Sequence, residues 1–362
     1  MIAQSYEEFP LLDDPVRRSR PTTFSLDQLD ATDARPRLFL MGAPRSGKTS
    51  IEKVVFHKTS PHETLYLDST LDITSIEIHS NFLVNLQILD FPGSYSFQDC
   101  EIDALKSCSA LILVVDATDS SQDNEDILYL VELVKQAMQI KSNINFEILI
   151  HKVDGDAFPL EEHRLEAQRD TRSKVLAELR EANIQNAHLS FHLTSIYDHT
   201  IFEAFSKIYQ KLLPQFGYLE NLLDSLLTSS CIEKVFLFDI SSKMYVCTDS
   251  NPVDMQTYEL CSDMIDVVLD VSCIYGLPSD ANVDPKSVER LAVENAFNSG
   301  SGATIKLSNG HVLMLREIGH CLAVVCLMRE KSFDKAALIE YNIDCLRSTL
   351  SNLSERIVTE VS

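Results

Sequence analysis

Positive charge is what this 362-residue chain has least of: 31 lysines and arginines stand against 54 aspartates and glutamates, a formal net charge of −23. An excess of that size repels phosphate backbones and anionic lipid, which argues against unaided binding to nucleic acid or direct insertion into a membrane. Long apolar runs are missing as well. The longest, residues 110–115 and 322–328, fall far short of the roughly 18 to 20 residues that cross a bilayer. No basic stretch followed by an apolar segment marks a secretory leader. Met1-Ile2-Ala3 is no myristoylation signal, and Glu360-Val361-Ser362 is no prenylation box. The 9 cysteines are scattered without close pairs, so neither a disulfide framework nor a zinc spacing is present, and reduced thiols in the cytoplasm are expected. What remains is the composition of a soluble globular protein, 45% hydrophobic and 23% charged, long enough for two or three domains.

Residues 1–35 mix Pro10, Pro15 and Pro21 with charges of both signs and show no periodicity, as expected of a mobile tail. Order is expected from Arg37. Leu38-Phe39-Leu40-Met41 reads as a short buried strand ending at Gly42, and residues 49–58 as a helix with Ile51, Val54 and Val55 on one face. Strands follow at 75–79 and 82–89. Apolar runs at 110–115, 146–150 and 189–193 then alternate with helical stretches at 123–139, 162–182 and 201–213. This alternation predicts an α/β domain over residues 36–216, a mostly parallel sheet with helices on both faces.

The rhythm changes after Pro214 and Gly217. The pattern predicts a helix at 219–227, strands at 234–240 and 243–247, a helix at 254–271 and a weak helix after the acidic linker at 280–284. Strands at 303–307, 312–317 and 322–329 and a helix at 334–353 complete a small antiparallel α+β domain over residues 217–362. Asn309-Gly310 is the hairpin signal between two of those strands. Tyr258, Met264 and Val268 share a helical face that suits either a core or a dimer seam. Cys261, Cys273, Cys321 and Cys326 read as buried structural cysteines, and His188 and His192 as ordinary sheet residues.

Gly42-Ala43-Pro44-Arg45-Ser46-Gly47-Lys48-Thr49 fits the phosphate-loop pattern and lies where the mechanism needs it, after a strand and at the start of a helix. Backbone N–H groups of Arg45, Ser46, Gly47, Lys48, Thr49 and Ser50 and the positive helix end would converge on phosphates. Lys48 would reach the β and γ oxygens, and the Thr49 hydroxyl would bind Mg²⁺. Asp90-Phe91-Pro92-Gly93 ends a predicted strand, so Asp90 can hold Mg²⁺ through water and the Gly93 N–H can sense a γ-phosphate. By itself Asp-x-x-Gly is a common turn; its order and distance after the loop give it meaning.

His151-Lys152-Val153-Asp154 closes the strand at 146–150. There Asp154 can accept both N1–H and N2–H of guanine, a donor pair that adenine does not offer. Lys152 would lie over the purine face. His151 stands where many GTPases have Asn and can reach N7 or brace the loop. Thr194-Ser195-Ile196 follows the next strand, placing Ser195 and Ile196 for backbone contact with guanine O6, though Thr-Ser is also a routine helix cap. Thr70 is the best candidate for a mobile threonine that completes Mg²⁺ coordination, with Thr64 and Thr74 competing for that role. Lys48, Thr49 and Thr70 make up the expected catalytic set, and GTP or GDP with Mg²⁺ the expected ligands.

These motifs resemble the Rag GTPases, and within them the RagC/RagD branch. The resemblance also includes Val54-Val55-Phe56-His57-Lys58, Leu193-Thr194-Ser195-Ile196-Tyr197-Asp198-His199 and Ser250-Asn251-Pro252-Val253-Asp254-Met255. It covers about residues 36–343 apart from the stretch 279–302. It implies an obligate heterodimer with a RagA/B-type GTPase, joined through C-terminal roadblock-like domains. It also implies a Ragulator-like scaffold at the lysosome surface, a GTPase-activating protein, and a relay of amino-acid sufficiency to the TOR kinase complex with the GDP form active. The cytoplasm and the cytosolic face of the lysosome are the implied locations, with the nucleus a further one.

One position departs from the pattern. GTPases of this type usually place Gln directly after the Asp-x-x-Gly glycine, where it orients the attacking water; here the residue is Ser94. Serine is too short for that task, so hydrolysis is expected to be slow and partner-assisted, and a pseudo-GTPase scaffold is the alternative. A metabolic P-loop kinase would need an Arg-rich acceptor lid, which does not occur between the motifs.

Overall fold

The computed structural model describes residues 24–26, 29, 35–97, 104–118, 123–155, 157–184, 186–276, 300–319 and 321–361. Unbroken apolar strands have to be covered on both faces. The first sheet meets that requirement with β1 (Arg37–Gly42), β2 (Thr74–His79), β3 (Asn85–Asp90), β4 (Ala110–Asp116), β5 (Asn145–His151) and β6 (His188–Thr194). Its spatial order is β2-β3-β1-β4-β5-β6. Only the β2–β3 pairing is antiparallel. Alternate side chains of β1 serve opposite faces. Leu38 and Leu40 join Ile51 and Val55 of α1 (Lys48–His57) and Phe205 of α5 (Thr200–Leu212). Phe39 and Met41 join Val134 of α3 (Asp123–Ile140) and Val175 of α4 (Glu161–Glu181). A one-turn α2 (Ala104–Ser107) precedes β4.

The second sheet contains β7 (Lys234–Asp239), β8 (Tyr245–Thr248), β9 (Gly302–Lys306), β10 (His311–Gly319) and β11 (Leu322–Arg329). They lie in the order β8-β7-β11-β10-β9, and every pairing is antiparallel. Helix α7 (Met255–Gly276) covers one face, where Tyr258, Cys261 and Ile265 meet Phe236, Phe238 and Tyr245. Each such large buried side chain stabilises the fold by roughly 1.5–3 kcal/mol. Tyr258 and Met264 are core residues, with Val268 packed against the same cluster. The other face lies under α6 (Phe216–Ser230) and, after the short α8 (Glu330–Phe333), under α9 (Ala336–Val361). A parallel-type sheet with helices on both sides followed by an antiparallel, roadblock-like α+β sheet is the fold class the residue pattern predicts.

One apolar cluster bridges the two sheets. It contains Ile201 and Phe205 from the first, and Leu219, Val235, Leu237, Val324 and Ile339 from the second. Polar contacts reinforce it: the Tyr245 N–H donates to Ser206 Oγ at 3.0 Å, and Gln210 Nε2 to the Tyr245 carbonyl at 3.2 Å.

Three local differences from the sequence expectations have physical causes. The strand expected over 82–89 starts at Asn85, because Asn81 Oδ1 accepts the Leu83 and Val84 N–H groups, both at 2.9 Å, and bends the chain there. The two-residue hairpin expected at Ser241-Ser242 is a wider turn, in which Asp239 accepts the Ser242 N–H at 2.8 Å and Lys243 takes a φ of 60°. Within the stretch expected to be a tail, Phe24, Leu26 and Leu29 pack on the first domain's core, and the Phe24 N–H donates to the Ile73 carbonyl at 2.9 Å. The rest of that tail before Arg35, the acidic linker at 280–284 with the weak helix expected after it, and the side chain of Cys273 lie outside the described residues. Cys261, Cys321 and Cys326 are buried. Among the described residues no cluster of three or more His, Cys, Asp or Glu could hold a metal, and no helix is long and apolar enough to cross a membrane.

Candidate nucleotide-binding site

The carboxyl ends of β1, β3, β4, β5 and β6 meet at one edge of the first sheet, where ligands of open α/β folds bind. A cavity of about 740 Å³ opens there. Its wall includes Arg45, Gly47, Lys48, Thr49, Ser50, Thr64, Thr70, Gly93, His151, Lys152, Asp154 and Ile196. Motifs separated by more than a hundred residues are thus brought to a single wall. Asp90, Ser46 and Ser195 stand behind it. All three are buried.

The loop between β1 and α1 takes its shape from local conformation. Arg45 (φ 65°) and Gly47 (φ 103°) are left-handed, and Gly47 has no room for a side chain. A methyl group on it would lie 2.7 Å from His151 Cδ2. Gly93 is equally confined, since a Cβ there would meet Pro44 Cα at 2.6 Å. The second signature glycine therefore rests directly on the phosphate loop. Lys48 is 6% exposed, with Nζ donating to the Gly42 and Ala43 carbonyls at 3.0 and 2.8 Å. Burial lowers its pKa to about 8, against the pull of the Asp90 and Asp126 carboxylates.

Three oxygens converge beside that ammonium. Thr49 Oγ1 donates to Asp90 Oδ2 at 2.7 Å and lies 2.7 Å from Thr70 Oγ1. Asp90 is fully buried, and its Oδ1 has no hydrogen-bond partner. Burial raises its pKa to about 7; the Thr49 hydrogen bond opposes this, and the Glu52 carboxylate adds to it. A buried acid with a free oxygen beside two hydroxyls is a hard donor set that suits a divalent cation. Thr70 is the threonine that joins this group. Thr64 spends its hydroxyl on the Pro61 carbonyl at 2.7 Å, and Thr74 lies in β2, paired with Asp90 in the ladder.

At the other end of the cavity, Ser195 Oγ donates to Asp154 Oδ1 at 2.7 Å. Lys152 donates to the Arg45 carbonyl at 2.7 Å and to Asp116 Oδ2 at 2.5 Å, which stretches its aliphatic stem along the cavity. His151 is buried, with Nδ1 3.0 Å from Thr194 Oγ1. Burial, and then the Lys152 cation, lower its pKa to about 4. Of the two roles open to it, N7 contact or bracing, the packing on Gly47 favours bracing.

Residues 37–265 match the family model described as the Gtr1/RagA G protein conserved region. The chain belongs to the Gtr1/RagA family. It is similar to Ras-related GTP-binding protein D of Mus musculus, 48% identical over 345 residues that cover 94% of this chain and 73% of that protein. Ras-related GTP-binding protein C of Homo sapiens is 48% identical over 332 residues, covering 91% of this chain and 79% of that protein. The GTP-binding protein gtr2 of Schizosaccharomyces pombe is 43% identical over 323 residues, covering 88% and 98% respectively.

Several cavity residues of this Rag-type chain escape motif reading. Leu65, Leu67, Asp68, Ser69 and Leu71 line it from the segment before β2, and Tyr197 and Thr118 complete the wall. Thr118 had a legible signal. Asp116-Ala117-Thr118 ends a buried strand, and both the Thr118 N–H (2.9 Å) and hydroxyl (2.7 Å) donate to Asp116 Oδ1. Leu65, Leu67, Asp68, Ser69 and Leu71 surround Thr70 in the chain but match no motif of their own.

Proposed function

We propose that this chain is the C/D-type subunit of a heterodimeric Rag GTPase, a switch that binds GTP and GDP and hydrolyses GTP slowly. The convergence of Thr49, Thr70 and Asp90 beside Lys48, in the same cavity as Asp154, carries the reading. Asp154 selects the guanine edge, the phosphate loop and Lys48 hold the phosphates, and Thr49, Thr70 and Asp90 would hold Mg²⁺, which supplies charge neutralisation to the phosphates when bound. Thr70 reports the nucleotide state: contact with a γ-phosphate and its metal would order the segment it lies in, and loss of that contact would free it.

Ser94 supports slow, partner-assisted turnover. Its side chain is exposed, its N–H donates to the Gly42 carbonyl at 3.1 Å, and it does not line the cavity. A pseudo-GTPase scaffold is the second reading, favoured by the same residue. The RagA/B-type partner would join at the second sheet. There β9 ends the strand order with an edge unpaired among the described residues, and α7 exposes Val267 and Val271. Assignment to a Ragulator-like scaffold on the lysosome's cytosolic face, to an activating protein and to the TOR complex, with GDP as the active state, follows from similarity to the C/D branch.

Co-expression with a RagA-type protein tests this. The expected result is a one-to-one complex on sizing that retains guanine nucleotide on both subunits. A chain that stays monomeric, or that carries adenine nucleotide, would overturn the proposal. Single-turnover hydrolysis with and without an activating protein separates the slow GTPase from the scaffold.

A further inference from the structure

Strand β2 forms one end of the six-stranded sheet, and residues ahead of β1 hold it at both of its own ends. At its start, the Phe24 N–H donates to the carbonyl of Ile73, the residue before Thr74, at 2.9 Å. At its finish, Arg35 donates to His79 Nε2 at 2.9 Å and pairs with Glu77 at 3.3 Å. Phe24, Leu26 and Leu29 are half-buried against the apolar cluster that holds Ile73, Phe91 and Phe97. The Leu29 N–H also donates to the Leu26 carbonyl at 3.2 Å. An edge strand offers its backbone groups to any extended chain, and here the chain's own residues take up part of that offer. They lie ahead of the family match at residues 37–265, so the arrangement is read from this chain and not from the family.

The seat of these residues is built from the two segments that flank the phosphate end of the cavity. Ile73 is buried and follows Thr70 by three residues, and the Thr70 hydroxyl lies 2.7 Å from Thr49 Oγ1. Phe97 follows Gly93 by four, with its ring 5.6 Å from Phe91 and 5.4 Å from Tyr95.

We propose that the surface at the start of β2 is a peptide-binding seat whose occupant is this chain's own Phe24, Leu26 and Leu29, docked when Thr70 stands at Thr49 and released when Thr70 leaves. Only Leu71 and Asp72, both exposed, separate Thr70 from Ile73. Withdrawal of Thr70 therefore pulls on the carbonyl that holds Phe24. Linkage makes the effect reciprocal: a nucleotide that keeps Thr70 in place tightens the seat, and an occupied seat favours that nucleotide by the same factor. The proposal rests on guanine-nucleotide binding, because a γ-phosphate and its metal are what would hold Thr70. Tethering gives the native segment an effective concentration on the order of millimolar. A free peptide of the same sequence is thus excluded until the native contacts are removed.

The test uses the full chain with its RagA-type partner and a fluorescein-labelled peptide of residues 20–34, read by anisotropy. A chain carrying Phe24→Ala, Leu26→Ala and Leu29→Ala together, which empties the seat, should bind the peptide about tenfold or more tightly than the natural chain does. Phe24→Ala alone should shift binding in the same direction, and it carries the comparison if the triple variant does not fold. Loaded with Mg²⁺ and a non-hydrolysable GTP analogue, the variant should bind the peptide about tenfold or more tightly than when loaded with GDP. A peptide with Phe24→Ser, Leu26→Ser and Leu29→Ser should not bind. Equal binding by the natural and variant chains, or by the serine peptide, would overturn the seat. Equal binding in the two nucleotide states, or tighter binding with GDP, would overturn its coupling to Thr70. Failure of the natural chain to load either guanine nucleotide would overturn the guanine-nucleotide reading itself, an outcome distinct from a loaded chain whose variants do not take up the peptide.

Discussion

Asn81 Nδ2 donates to Asp239 Oδ1 at 2.8 Å, a bond that joins the turn between β2 and β3 to the end of β7, 158 residues away. Ser80 Oγ donates to the same oxygen. The Ser242 N–H and hydroxyl donate to the other, at 2.8 and 2.5 Å. The carboxyl is fully buried, and burial raises its pKa against the Ser242 and Ser80 hydrogen bonds.

Removing this acceptor strands several donors at once. Asp239→Ala should destabilise the protein by about 1–3 kcal/mol, and Asn81→Ala by about 1 kcal/mol. Because one apolar cluster runs through both sheets, urea unfolding of either variant should keep a single transition with a lower midpoint. Two resolved transitions would show that the sheets unfold independently.

Asp90 predicts a pH dependence. Its folded pKa is raised from 3.8 to about 7, so between those values the folded chain keeps a proton that the unfolded chain has lost. The stability gained from that proton is fully present below about pH 4 and is lost as pH rises through about 7. Asp90→Asn should therefore stabilise the nucleotide-free protein at pH 8 by a few kcal/mol, on the order of 1.4 per pKa unit, with no gain at pH 4. The same substitution should weaken Mg²⁺-dependent retention of nucleotide. Urea titrations in EDTA at both pH values check the first part, and equal gains at both would refute it.

Asp154→Asn exchanges an acceptor pair for an amide that can donate to a carbonyl. Loss of the charged hydrogen bonds should weaken GDP binding by roughly 1.5–3 kcal/mol, on the order of tenfold to a hundredfold. Xanthosine diphosphate, with an oxygen where guanine has its amino group, should gain affinity. Calorimetry with the two nucleotides decides this, and unchanged selectivity would remove Asp154 from the base site.

The proposed slow turnover makes a prediction at Ser94. The natural chain should turn over GTP below the intrinsic Ras rate of about 3–5 × 10⁻⁴ s⁻¹ in single-turnover assays. Ser94→Gln should raise the rate by about tenfold, the equivalent of roughly 1.4 kcal/mol in the barrier. Unassisted turnover at or above the Ras value would show that another residue orients the water.

Much of this was legible before any coordinates, because the relevant physics is local. A phosphate loop announces itself through glycines that must turn left-handed, and buried strands through unbroken apolar runs. The order of Lys48, Asp90, Asp154 and Ser195 along the chain follows the order of the strands that carry them. Local pattern also misled where a side chain competed with the ladder, as Asn81 does at Leu83 and Val84.

Chain alone, then, determined the sheet-forming segments and the phosphate-loop pattern, and it singled out Asp154 as the candidate for the base. Tertiary structure alone decided that Thr70 rather than Thr64 or Thr74 meets Thr49, that His151 rests on Gly47, and that Asp239 pins the β2–β3 turn. The physical reason is the strand order: β1 lies between β3 and β4, so residues far apart in sequence become neighbours only when the sheet closes. No periodicity within a segment encodes which neighbour it will have.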